Sequence, residues 1–79
     1  MSDVIARAEQ AKRVLDDPTI QKAFEAVRQQ LLATIEVSQI GDREAHHELA
    51  LSLQALRSVR RQLQKWVDDG DVERRRNQR

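Results

Sequence analysis

Cysteine is absent from the 79 residues, which removes disulfides, thiolate nucleophiles and cysteine metal sites together. Glycine occurs twice and proline once, too little turn-forming material for a sheet protein or for long loops. The aromatic residues are Phe24 and Trp66 alone, so any core has to be built from Leu, Ile, Val and Ala. No apolar run approaches the roughly 18 residues of a membrane span, and the N-terminus lacks the basic-then-apolar pattern of a signal peptide. A soluble, cytoplasmic chain with no membrane association is therefore expected. Net charge is also nearly missing, at +1, which argues against a dedicated nucleic-acid binder.

What is present is helical patterning. Hydrophobic residues make up 39% of the chain and charged residues 34%, above the range of disordered segments and suited to helices with ion-paired surfaces. From Asp42 to Gly70 the residues Ala45, Leu49, Ser52, Leu56, Val59, Leu63 and Trp66 recur at steps of four and three, the spacing of a helix seam. Asp42 suits an N-cap and Gly70 a left-handed C-terminal stop, so this spacing predicts a helix over about 42–69. Upstream, Asp17-Pro18 reads as an N-cap followed by a first helical residue. The apolar positions Ile20, Phe24, Val27 and Leu31 then predict a second helix over about 18–38. Val4, Ala8, Ala11 and Leu15 share one thin, alanine-rich face of a first helix over about 3–15.

The short Ile40-Gly41-Asp42 connection makes the second and third helices antiparallel neighbours. The expected register places Ile35 by Ala45 and Leu49, Leu31 by Leu49 and Leu53, Val27 by Leu56, Phe24 by Val59 and Ile20 by Leu63. The expected fold is all-α: a helical hairpin with the shorter N-terminal helix packed against it, Trp66 closing one end. Residues 1–70 form the single domain of this reading, and 71–79 a flexible basic tail.

Charge is uneven along the chain. Five basic residues face seven acidic ones from Met1 to Asp42, and nine face six from Arg43 onward. Arg57, Arg61 and Lys65 form one row at steps of four, with Arg60 beside it, and Arg74, Arg75 and Arg76 lie in the tail. This row and the tail are candidate contacts for phosphate or an acidic partner. The plainer alternative is that Arg57 and Arg61 pair with acids of the first helix. Leu51 lies well round from the seam, with Ala55 and Ser58 continuing a smooth strip, and Leu32 sits at the edge of its own face. Leu32, Leu51 and Ala55 are thus candidate protein-contact residues, because so short a chain buries little core alone.

Catalytic and metal chemistry find no foothold. His46 and His47 are adjacent, so they point about 100° apart and cannot share one ion. The pairs Asp16-Asp17 and Asp68-Asp69 fall at expected helix ends rather than in a cleft, the latter opposing the helix dipole. No glycine-rich phosphate loop or nucleophile elbow occurs. The expectation is a non-enzyme with no cofactor, no metal and no small-molecule substrate.

The run Ala11-Lys12-Arg13-Val14-Leu15-Asp16-Asp17-Pro18, then Ala23-Phe24 with Val27-Arg28, then Leu53-Gln54-Ala55-Leu56 with Val59, Arg60 and Leu63, covers most of the chain. It resembles the small helical proteins encoded among the virion-assembly genes of tailed phages and prophages. The resemblance implies a structural or assembly role without catalysis, in the host cytoplasm or the virion. The partner is then a second copy of the chain or a larger protein assembly. A small nucleic-acid-associated regulator, using the basic C-terminal half, is the alternative.

Overall fold

The computed structural model of the protein describes residues 3–37 and 41–78. Three helices account for nearly all of them: α1 (Asp3–Asp16), α2 (Pro18–Val37) and α3 (Arg43–Asn77), with no strand among the described residues. The all-α class and the docking of α1 on the hairpin agree with the sequence reading.

Local chemistry explains where the helices begin. The Asp17 carboxylate accepts from the Thr19 amide at 2.8 Å and its carbonyl from the Gln21 amide at 3.0 Å. Pro18 then fills the first helical position, where a missing N–H leaves no bond unmade. At the second break Gly41 has φ of 102°, a conformation that favours glycine. The Asp42 carboxylate next accepts from the Ala45 amide at 3.1 Å, capping α3. Ser38 and Ile40, the remainder of the expected connection, lie outside the described residues.

Where α3 ends is a correction. It runs through Gly70 and stops at Asn77, so residues 71–77 are helix rather than a flexible tail. Two causes are visible. Arg74 pairs with Asp71 at 3.5 Å and Arg76 with Glu73 at 3.7 Å, each one turn apart. Arg74, Arg75 and Arg76 also place positive charge at the negative end of the helix dipole. Asp68 and Asp69 consequently sit mid-helix, where Asp68 accepts from Gln64 at 3.0 Å and Asp69 pairs with Lys65 at 2.9 Å.

The first two helices follow one another along α3, both antiparallel to it. α1 covers the C-terminal half: Ala11 and Val14 lie with Leu63 and Trp66, and Ala8 meets Gly70. α2 covers the N-terminal half, with Phe24 beside Leu56, Arg57 and Arg60. The α1–α3 contact is much the more extensive, and α1 touches α2 only slightly. The Asp17-Pro18 break joins two pieces of one strut more than it folds a third helix back. Trp66 is covered by α1, as expected, yet it does not close an end, because α3 continues past it to Asn77.

The face that α3 turns to α2 differs from the expected one. Ile20 and Phe24 border Arg60, and Val59 is 53% exposed. Arg60 takes the place expected of Val59, its guanidinium 5.2 Å from the centre of the Phe24 ring. Leu49, Leu53, Leu56, Arg60, Leu63, Trp66, Val67 and Gly70 are among the positions facing the other helices.

Little of the chain is buried. Only Ala8 and Ala11, each 3% exposed, make up the buried apolar core among the described residues, and no large side chain is fully enclosed. The radius of gyration is 17.3 Å, against roughly 12 Å for a compact domain of this length. Accessible surface is 6543 Å², against roughly 4,900 Å² for a folded monomer of this mass.

Candidate interaction surfaces

The α2–α3 hairpin has two sides of different chemistry. At about 100° per residue, Arg28 lies about 40° to one side of Phe24 and Val27 about 60° to the other. On α3, Arg57 lies about 100° to one side of Leu56 and Val59 about 60° to the other. Because the helices are antiparallel, equal turns of the same sense reach the same side of the hairpin. Arg28, Glu25, Arg57 and Arg60 accordingly line one shallow hollow with Phe24 and Leu56.

This first side is basic. Gln54, Arg57, Ser58, Arg60 and Arg61 border an open depression along α3. Arg61 donates to the Ser58 hydroxyl at 3.4 Å, and Arg60 stacks on Phe24. Among the described residues, no carboxylate lies within ion-pair distance of Arg57, Arg60 or Arg61. The expected pairing of Arg57 and Arg61 with acids of the first helix is therefore not found, since α1 lies further along α3. It is Arg74 that reaches α1, pairing with Glu9 at 3.2 Å.

The expected phosphate-contact group is split accordingly. Lys65, Arg74 and Arg76 are each engaged by a carboxylate, and Arg75 donates to the Asp71 carbonyl at 3.4 Å. Arg57 and Arg61 remain as exposed cations on one side of α3.

The second side carries Ala23, Val27, Gln30 and Thr34 from α2 and Leu51, Ser52, Ala55 and Val59 from α3. None of these is charged, and Glu48, about 80° from Leu56 on the same side, bounds the strip towards the start of α3. Val27 is 43%, Leu51 50% and Val59 53% exposed. The expected contact residues Leu51 and Ala55 are thus solvent-facing neighbours, whereas Leu32 is half-buried and turns towards the basic side. Spacing alone places Val27 and Val59 in the seam; their exposure adds them to this strip.

The hydroxyls on this side are already satisfied. Thr34 Oγ1 donates to the Gln30 carbonyl at 2.9 Å and Ser52 Oγ to the Glu48 carbonyl at 3.1 Å. Such back-bonding turns the hydroxyl onto its own helix and leaves carbon facing outward.

No chemistry-bearing cluster accompanies these surfaces. Among the described residues no group of three or more His, Cys, Asp or Glu is placed to hold a metal ion. His46 is half-buried at the first turn of α3, its Nε2 shielded from solvent and without a hydrogen-bond partner among the described residues. Asp17 acts as a helix cap. No helix is long and apolar enough to cross a membrane among the described residues. No family model matches the chain, and no characterised protein or solved structure is significantly similar to it.

Proposed function

We propose that the protein is a non-enzymatic interaction component whose helical hairpin self-associates or docks on a larger protein assembly. The observation that carries this reading is the surplus of surface. The chain exposes roughly 1,600 Å² more than a compact monomer of its mass would, and among the described residues the buried apolar core is two alanines. Surface of that extent is stabilised when a partner covers it. A role in particle assembly, as the sequence resemblance suggests, accords with such a shape.

The test is particle size by light scattering after size exclusion, at low and at moderate salt. The full chain is measured both purified and in gently prepared extract of the cells that make it. A particle larger than the 9.2 kDa monomer that persists in salt, in either sample, is the expected result. Free monomer in both samples overturns the reading.

One observation favours a second reading, a nucleic-acid-associated regulator: Arg57, Arg60 and Arg61 lie together without carboxylate partners among the described residues. Three phosphate contacts would give a slope of roughly −3 in log affinity against log salt on duplex DNA. Replacing Arg57 and Arg61 together with alanine should cut that slope by roughly 2. A salt-independent affinity, or one unchanged by the double substitution, removes this reading.

A further inference from the structure

Building on the interaction reading, we infer that the partner is a second copy of this chain, seated across the uncharged side of the hairpin. The two copies together make a four-helix layer in which α2 and α3 of one pack on α2 and α3 of the other. The surface that pairs is centred on Ala23, Val27, Ala55 and Val59.

Charge decides both the side and the occupant. In a two-fold dimer each residue near the axis meets its own counterpart, so any charge there faces a like charge. About a third of the chain is charged, yet between Ala23 and Gln30 on α2 and between Leu51 and Val59 on α3 this side holds no charge, and Glu48, one turn before Ser52, marks its end. On the opposite side Glu25 offsets Arg28, but Arg57, Arg60 and Arg61 would be set against their own copies. Self-pairing is permitted by one side and opposed by the other.

Size and polarity agree with this assignment. A standard interface takes about 800 Å² from each partner, well within the surplus surface each chain carries. Ala23 and Ala55 let helices approach, while Val27, Val59 and Leu51 supply the projecting side chains. Thr34 and Ser52 already donate to their own helices, so covering them leaves no hydroxyl proton unpaired.

The absence of cysteine makes the test direct. Val27→Cys, Ala55→Cys and Val59→Cys chains, with Arg61→Cys as the variant on the other side, are oxidised mildly as full-length protein and analysed for covalent dimers. At least one of the first three should cross-link efficiently and Arg61→Cys should not. The unmodified purified chain should have twice the 9.2 kDa mass by light scattering at tens of micromolar and moderate salt. Val59→Glu should retain helicity, because the site is half-exposed, and weaken the dimer about tenfold or more.

A purified chain that stays monomeric at these concentrations overturns the proposal. A larger particle in the extract would then still uphold the interaction reading. Cross-linking that favours Arg61→Cys over the three other positions also overturns it, placing self-association on the arginine side.

Discussion

The two halves of α3 solve the same packing problem in opposite ways. In the C-terminal half, α1 comes so close that a Cβ at Gly70 would overlap the Cβ of Ala8, with Ala8 Cα 3.7 Å and the Val4 carbonyl oxygen 3.8 Å away. The residues buried there are small: Ala8, Ala11 and Gly70. In the N-terminal half, α2 offers larger side chains such as Phe24, Leu31 and Ile35, yet these are only half-buried and shallow hollows remain beside them. Burial in this chain follows from how near the backbones approach, and small residues set that distance. Side-chain bulk contributes apolar area but holds the second pair of helices apart.

The sharpest way to break the comparison is Gly70→Ala. In an exposed helix interior that change stabilises by about 1 kcal/mol. Here the added methyl meets the short, backbone-anchored Ala8 side chain, so overpacking should dominate and lower stability by about 2 kcal/mol. Urea unfolding followed by circular dichroism measures the sign, and Ala8→Gly in the same chain should recover part of the loss. A stabilised Gly70→Ala protein would show that the two helices are not in close contact.

The loose half should respond less than its residue types suggest. Leu56→Ala should cost about 1 kcal/mol, below the roughly 2–5 kcal/mol typical of enclosed leucines, because Leu56 is already partly hydrated. A larger loss in the purified chain would mean that the site is more enclosed than the hairpin alone makes it. The smallest effect belongs to the ion pair joining the tight half, Arg74 with Glu9, whose side chains are 43% and 55% exposed. Its coupling energy in a double-mutant cycle should be about 0.5 kcal/mol or less and should fade with salt.

Features governed by neighbours in sequence were readable in advance. Asp17-Pro18 and Gly41-Asp42 mark helix starts because their carboxylates and φ preferences act within a few residues. Leu49, Leu56, Leu63 and Trp66 were assignable to the packed face by spacing. Gly70 was not, since the same residue suits a helix stop and a close helix contact, and only the approach of α1 distinguishes them. The placement of Arg60 over Phe24, instead of Val59 beside it, turns on a small rotation of α3 that apolar periodicity does not specify. The same rotation exposes Val59 and completes the uncharged strip, of which Leu51 and Ala55 alone stood out in the sequence. The arginine row at Arg57, Arg61 and Lys65 was legible as a row. Which member finds an acid was not, because that depends on how far along α3 the first helix lies.

Trp66 lies within the tight half, with the Arg7 guanidinium 5.4 Å from the centre of its ring and Ala11 and Val14 beside it. It is also the sole tryptophan of the chain. The protein therefore carries an optical probe whose environment belongs to one contact only. Fluorescence reports whether α1 is docked, while circular dichroism sums over all three helices. Separation of the two signals during unfolding would show α1 leaving as a unit, and coincident signals would show that both halves of α3 are released together.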